Sequence, residues 1–246
     1  MPVTIMGVAL NRRNILTGVL VVAAGSIPFV QAGLFSDTIF VKPSQFDARQ
    51  ILHTPPDPAS STTKAELAEL RRIQDTRTPE ALAKARADAA NQTVFLFKTV
   101  LGDGFTADKL PETARFFARV ASDESFFADV PKDFWKRLRP TALDPAIQPC
   151  APTGGASYPS GHSTRGYLFG VVLAAAIPEK HDAILDRAAD YAQNRVICGA
   201  HFPSDVEAGR LVGISLAAVM LAQSTFRQAL QAVQAELRSA SLTAGN

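Results

Sequence analysis

The sequence predicts an all-α protein that folds as a single helical-bundle domain. Apolar residues recur with helical spacing along most of the chain, and alternating strand patterns are almost absent. Prolines and capping residues stand where the predicted helices begin or end. The chain has 246 residues, 47% of them hydrophobic and 20% charged, which suits one sizeable core and lacks a disordered or collagenous bias.

The opening segment has the order of a secretory signal. Arg12 and Arg13 precede an apolar run, and the small-residue sequence VQA ends at Ala32. A retained membrane anchor is the competing interpretation, but a glycine and a proline interrupt the run. We expect residues 1–32 to be a cleaved signal peptide and the mature protein to be periplasmic or secreted. The paired arginines are also a weak feature of twin-arginine export signals.

Charge and cysteine content restrict the partners. The chain has 25 Lys and Arg and 23 Asp and Glu, and cleavage after Ala32 would remove only two arginines, leaving equal numbers. We therefore expect no nucleic-acid partner, and no later apolar run is long enough to predict a membrane span in the mature form. The sequence leaves the oligomeric state undetermined, with a homo-oligomer as one option.

In an exported chain, Cys150 and Cys198 are expected to form one disulfide.

The predicted elements start with an extended, proline-containing lead-in over 33–63, followed by a helical domain over 64–246. In the first helix, Thr63 is the candidate N-cap and Glu66 follows three residues later, as in a capping box. The second helix is predicted over 78–101, where Thr78 precedes a proline at the first helical position.

Further helices complete the predicted bundle. Two or three are expected within 110–140, the last ending where Pro140 would break it. A loop rich in glycine and proline covers 141–161. The remaining helices are predicted at about 163–177, 181–196 and 203–235.

The sequence PSGH places Ser160, Gly161 and His162 directly before an apolar helical run. A helix start offers unpaired backbone N–H groups and the positive end of the helix dipole, so it can hold an anion. An imidazole beside such an anion could donate a proton to it. By itself, the tetrapeptide favours a simple turn, because short motifs recur by chance.

Arg195 lies on an apolar helical stripe with Ile184, Ala188 and Tyr191. A guanidinium on that face is expected to have an anionic partner, because burying it unpaired is expensive. The alternative is a frayed helix end at which the side chain reaches water.

Two further clusters carry charge. Lys132 and Arg139 are seven residues apart, which on one helix would put both on one face about 10.5 Å apart along the axis; a solvated charge run is the alternative. His201 precedes a helix-starting proline and Asp205 follows it, so the carboxylate could orient the imidazole. The alternative is that Asp205 merely complements the helix dipole.

Together these clusters form an ordered three-part pattern: Lys132 with Arg139 and Pro140, then Pro159 to His162, then Arg195 with His201 and Asp205. The pattern resembles the signature of the phosphatidic-acid-phosphatase type 2 superfamily, which includes vanadium haloperoxidases. The sequences RVICGAH and SDV look most like its bacterial class A non-specific acid phosphatases. One departure is Asn194, which stands where that signature usually has a serine.

The resemblance implies an acid phosphatase that hydrolyses small phosphate monoesters without a metal or other cofactor. His201 would attack phosphorus, Asp205 would orient His201, and His162 would protonate the leaving alcohol. The resemblance gives phosphate binding to Lys132, Arg139, Ser160, Gly161 and Arg195, with Asn194 as a further hydrogen-bond donor. The alternatives on the same scaffold are a vanadate-dependent haloperoxidase, which bromide oxidation with hydrogen peroxide would detect, and a lipid or pyrophosphate phosphatase.

Overall fold

The computed structural model describes residues 39–242, and the predicted signal peptide lies outside this range. Within the described range, the protein consists of helices and loops without a strand, so the all-α prediction is confirmed. No helix there is long and apolar enough to cross a membrane. The α-helices are α1 (Ser61–Thr76), α2 (Pro79–Ala90), α3 (Lys98–Leu101), α4 (Pro111–Trp135), α5 (Pro140–Leu143), α6 (Gly161–Ala176), α7 (His181–Ile197), α8 (Pro203–Ala222) and α9 (Ser224–Ser239).

Helix α6 is the centre of the bundle, where it packs between α7 and α8 and also contacts α4 and α9. Glycines allow the close approach on both sides. A Cβ on Gly166 would lie 2.7 Å from the Tyr191 ring of α7, and a Cβ on Gly209 of α8 would lie 2.5 Å from the Ser160 carbonyl oxygen. These contacts bring the N-terminal end of α6 next to α7 and to the start of α8.

The chain before α1 is held against α4 by a buried carboxylate. The N–H groups of Ile39, Phe40 and Val41 donate to Asp123, at 2.5 to 2.9 Å. Phe40 also packs edge-on against Phe226 of α9, with ring centroids 4.9 Å apart. The backbone of this stretch therefore has specific partners in the helical bundle.

The predicted cap of α1 is wrong by one turn. Ser60 is the N-cap, and its hydroxyl accepts the Thr63 N–H, while Thr63 itself is buried inside the helix. Glu66 does not close a capping box, because its carboxylate turns inward to Arg137 and the backbone of Ser204. Contacts with residues far away along the chain therefore determine where the Glu66 side chain points.

The helix predicted over 78–101 is interrupted after Ala90. Its start is confirmed, since the Thr78 hydroxyl accepts the Ala81 N–H. The side-chain oxygen of Asn91 accepts both the N–H and the hydroxyl of Thr93, which offers the backbone an alternative to helix. A 3₁₀ turn at Val94–Phe97 and the short α3 follow.

The prediction for 110–140 is also wrong. One helix, α4, covers Pro111–Trp135, and Lys136 ends it in the left-handed conformation with φ 49°. Pro140 does not break a helix but starts α5, at a position where its missing N–H is tolerated. Lys132 and Arg139 therefore do not share a helical face.

The last predicted helix, 203–235, is two helices. The backbone of Gln223 is extended, which separates α8 from α9. Arg227 donates to the carbonyls of Leu221 and Ala222 and so satisfies the end of α8. The predictions for α6 and α7 are confirmed to within two residues at each end.

Gly213→Ala should lower the free energy of unfolding by about 1–3 kcal/mol, because the new methyl group would collide with the Thr164 carbonyl of α6. Denaturant unfolding followed by circular dichroism measures this. Ala218→Ser, at an exposed position of the same helix, is the control and should change little. A Gly213→Ala protein as stable as the wild type would contradict the close α6–α8 packing.

Candidate active site

A polar cavity of about 230 Å³ lies where the C-terminal end of α4, the N-terminal end of α6 and the C-terminal end of α7 meet. We call it the polar cavity. It brings together most of the side chains that the sequence singled out, and it adds a second group that the sequence reasoning missed. The predicted members are Lys132, Arg139, Gly161, His162, Arg195 and His201, and the added charged members are Glu124, Asp129 and Arg165.

Arg195 enters the polar cavity from the apolar stripe of α7. Its neighbours on that stripe, Ile184, Ala188 and Tyr191, are fully buried, and Arg195 is itself 4% exposed. Its Nε and Nη1 atoms have no hydrogen-bond partner in the described part of the chain. Burial lowers the pKa of Arg195 to about 10. A buried cation without a protein partner is the feature expected of an anion site.

His201 is held in one tautomer by two neighbours. Its Nε2 lies 2.7 Å from Arg139 Nη1, which always carries a proton, so Nε2 is the acceptor. The proton is then on Nδ1, which lies 3.3 Å from Asp205 Oδ2. The Asp205 carboxylate thus lies beside the imidazole nitrogen that carries the proton. Burial lowers the pKa of His201 to about 4, against the opposing effect of Asp205, so the imidazole is neutral above that pH.

His162 lies in the first turn of α6 and stacks on the Tyr191 ring, with centroids 5.7 Å apart. Its Nε2 lies 3.2 Å from the Ala89 carbonyl oxygen, to which it can only donate. Nδ1 is therefore the nitrogen left for other chemistry. Burial, followed by the charge of Arg195, lowers the pKa of His162 to about 3.

Ser160 is the N-cap of α6, and its hydroxyl accepts the Ser163 N–H. Its own N–H donates to the Asp205 carbonyl at 2.9 Å, so it is not available to an anion. The helix start therefore does not offer the N–H groups of residues 160–162 together. Those of Gly161 and His162, in the first helical turn, have no intrahelical acceptor and remain available to an anion.

Lys132 and Arg139 reach the polar cavity from different elements. Lys132 Nζ pairs with Asp129 at 2.9 Å and would lie 3.3 Å from a Cβ added to Gly161, so glycine leaves room for the ammonium group. Arg139 donates to the carbonyls of Gly154 and Ala200 at 2.8 and 3.0 Å. It thereby fixes the loop before α6 against the segment that carries His201.

The predicted Cys150–Cys198 disulfide is present. The Cys150 N–H also donates to the Cys198 carbonyl at 2.8 Å. The disulfide and Arg139 therefore both join the loop before α6 to the segment that carries His201.

Asn194 does not take the predicted place. Its side-chain nitrogen donates to Asp88 at 2.7 Å, and it is not among the residues that line the polar cavity. Arg187 pairs with the same carboxylate. The expected contact of Asn194 with an anion is therefore wrong, because a buried ion pair takes its amide.

The sequence reasoning missed two pairs of residues around the polar cavity. Arg165 pairs with Glu124 on its wall, and burial raises the pKa of Glu124. Arg165 follows His162 by three residues on α6, and this spacing could have indicated it. Arg137 pairs with Asp205 and Glu66 behind His201, but no local signal separated it from a solvated charge run.

In this helical domain, cations, two imidazoles and the free N–H groups of a helix start converge on one cavity, an arrangement that suits an oxyanion. The PAP2 superfamily model matches residues 116–229. The non-specific acid phosphatase of Providencia stuartii is 30% identical over 211 residues, which cover 81% of this chain and 85% of the relative. The chain belongs to the PAP2 superfamily.

Two further comparisons agree with the family. The non-specific acid phosphatase of Salmonella typhimurium is 34% identical over 149 residues, covering 58% of this chain and 59% of the relative. A solved bacterial vanadium-dependent iodoperoxidase has a TM-score of 0.55 at 20% identity, covering 71% of this chain and 53% of that one. The likeness to the iodoperoxidase concerns the fold alone.

Arg195→Met should stabilise the anion-free protein by about 1–3 kcal/mol, because it removes buried donors that have no partner. It should also weaken binding of inorganic phosphate by about 2–5 kcal/mol. Denaturant unfolding and isothermal titration calorimetry measure the two effects.

Arg187→Met is the matched control on the same helix. It leaves Asp88 without its cation and should destabilise the protein by about 3–5 kcal/mol. If Arg195→Met destabilised the protein to the same extent, Arg195 would not be an unpaired cation.

Proposed function

We propose that this protein is a metal-independent acid phosphatase that hydrolyses phosphate monoesters through a phosphohistidine. The observation that carries the proposal is the unpartnered guanidinium of Arg195 in one cavity with the acceptor nitrogen of His201. The names of the acid phosphatase relatives support the substrate class. The disulfide supports an exported protein, periplasmic or secreted, since such bonds persist in oxidising compartments.

The oxyanion would be bound by three cations and the start of α6. Lys132, Arg139 and Arg195 supply positive charge for the non-bridging oxygens, and the N–H groups of Gly161 and His162 add the helix N-terminus. Ser160, which was predicted to bind phosphate, is fully buried and does not line the polar cavity, so we leave it out of this set. A phosphoryl transition state needs positioning and distributed positive charge above all, which this set supplies.

His201 would be the nucleophile. Arg139 moves its Nη1 from Nε2 to a phosphate oxygen, and the freed lone pair of Nε2 forms a bond to phosphorus. The ester P–O bond breaks, and His162 passes a proton from Nδ1 to the leaving oxygen. The His201 ring keeps its Nδ1 proton and becomes positively charged beside Asp205. Water then attacks phosphorus, returns a proton to His162 and releases phosphate from His201.

The polar cavity favours esters of small hydrophilic alcohols. Beyond the phosphate-binding residues, its lining in the described part of the chain consists of polar, charged and small groups, with no aromatic side chain other than the two imidazoles. Gln92, Ser125 and Glu124 are hydrogen-bonded to Arg165 there and present further polar atoms. A hydroxylated leaving group can exchange hydrogen bonds with this wall, whereas a large apolar group would desolvate it.

Proton supply explains why the reaction should be fastest in acid. The low pKa of His162, about 3, leaves it neutral in the anion-free protein at most pH values. A monoanionic ester brings its own proton to the cavity and can pass it to Nδ1. A phosphate monoester loses this proton near pH 6.

We therefore expect kcat/KM to fall as pH rises through about 6, and to fall again as pH drops through the His201 pKa of about 4, where the nucleophile is protonated. Steady-state rates for an alkyl phosphate over pH 3–9 measure this. An aryl ester such as p-nitrophenyl phosphate, whose leaving group needs little protonation, should show a weaker alkaline limb and the same acid limb. An alkaline limb that is the same for both esters would contradict proton supply by the substrate.

Substitution of each histidine should separate their roles. His201→Ala should form no phosphoenzyme with any ester. His162→Ala should slow phosphorylation by an alkyl phosphate by about 10²- to 10⁴-fold, but by p-nitrophenyl phosphate far less, because p-nitrophenolate needs little protonation. Rapid-quench phosphorylation with both esters measures this. Labelled phosphoenzyme in His201→Ala, or equal losses for both esters in His162→Ala, would overturn the assignment.

A further inference from the structure

Arg137 connects α1 to the residues that orient His201. Its side chain, in the turn between α4 and α5, is 4% exposed. Nη1 donates to Asp205 Oδ1 at 2.6 Å and to Ser204 Oγ at 2.7 Å, and Nη2 donates to Glu66 Oε2 at 2.9 Å. The guanidinium also lies over the Phe202 ring, 4.1 Å from its centroid. Arg137 is therefore fixed on three sides.

Glu66 makes a second contact with the same region. Its Oε1 accepts the Ser204 N–H at 2.7 Å, while Oε2 accepts from Arg137. The Asp205 carboxylate is satisfied as well, since Oδ2 accepts from His201, from Ser157 Oγ at 2.5 Å and from the Phe202 N–H at 2.9 Å. Both oxygens of each carboxylate thus have defined donors.

We propose that Glu66 and Arg137 are positioning residues for the nucleophilic imidazole and act on it through Asp205. The inference rests on the proposed phosphoryl transfer to His201. Neither residue lines the polar cavity, so neither would touch the substrate. Their effect would reach the reaction through the charge and direction of the Asp205 carboxylate.

Arg137 selects the oxygen that faces His201. Because it occupies Oδ1, Oδ2 is the oxygen directed at the imidazole Nδ1. Arg137 also supplies the cation that a fully buried carboxylate needs, since a buried charge without a partner is costly.

Glu66 restores the charge that Arg137 would cancel. Arg137 and Asp205 alone would form a neutral pair beside His201, and the second carboxylate gives the three groups a net charge of about −1. This charge faces the imidazole as it becomes positive during attack on phosphorus. A carboxylate on α1 is thereby coupled to a reaction at the start of α8.

The first test is Glu66→Gln, which keeps the size of the side chain and removes its charge. It should slow phosphorylation of His201 by roughly 10- to 100-fold with little change in KM. It should also move the acid limb of the phosphorylation rate to lower pH, because an imidazole that has lost a nearby negative charge binds a proton less tightly. The control is Glu69→Gln on the same helix, whose carboxylate is exposed and paired with Arg72.

The second test compares two substitutions of Arg137. Arg137→Met should slow phosphorylation on the order of 100-fold. Arg137→Lys keeps the charge and should recover part of the rate, but a single ammonium group cannot reproduce the planar fork between Glu66 and Asp205. Arg71→Met, which breaks another ion pair of α1 with Asp144, is the control for lost stability.

Folding is followed separately, by circular dichroism and thermal unfolding. Arg137→Met leaves two buried carboxylates without a cation, so the double variant Glu66→Gln/Arg137→Met is tested beside it. The double variant lacks the Glu66 charge and the donor to Oδ1, and it should be as slow as Arg137→Met even where it folds well.

Wild-type phosphoenzyme is measured first, and its absence would reject the proposed function itself. With phosphoenzyme present, slower phosphorylation and a shifted acid limb in Glu66→Gln support the positioning role. A wild-type rate and acid limb in both Glu66→Gln and Arg137→Lys would overturn it. Rate losses that merely follow thermal stability, as judged against Arg71→Met, would overturn it too.

Discussion

The candidate site depends on a guanidinium that the fold buries without a protein partner. Arg195 extends from the apolar face of α7 into a cavity where its Nε and Nη1 find no acceptor. An unpaired buried cation is destabilising, and the rest of the bundle must offset that free energy. In the proposed function an oxyanion supplies the missing partner. Stability and the proposed anion binding are therefore opposed at this one residue.

The offset comes from packing and from charges that are fully paired. Helix α6 lies so close to α7 and α8 that glycine is needed at the contacts. Around the site, Arg187 binds Asp88, Arg165 binds Glu124, and Arg137 joins Glu66 to Asp205. These pairs hold the surrounding helices in place. They thereby hold in place the segments that carry Arg195, His162 and His201, and fixed positions of this kind are the condition for the electrostatic catalysis that we propose.

Much of the site could be predicted because its chemistry is local. His201 and Asp205 are four residues apart across a helix start, and Ser160 to His162 begin a helix, so backbone geometry brings their groups together. The Arg195 stripe follows from helical periodicity. Arg137 could not be distinguished in this way. The segment KRLRP at residues 136–140 contains three cationic side chains, and local spacing does not indicate which of them points into the protein.

The sequence by itself determined the helical class, the positions of α6 and α7 and the order of the candidate site residues, since periodicity, capping and short spacings act within a few residues. Tertiary structure alone decided which way Glu66 points and which partner Asn194 takes, whereas the break after Ala90 has a local cause in Asn91. The left-handed turn at Lys136 separates Lys132 from Arg139, and both still line one cavity, because α4 packs against α6 and Arg139 bonds to the loop that precedes α6. Such choices depend on charges buried against partners that lie far away along the chain.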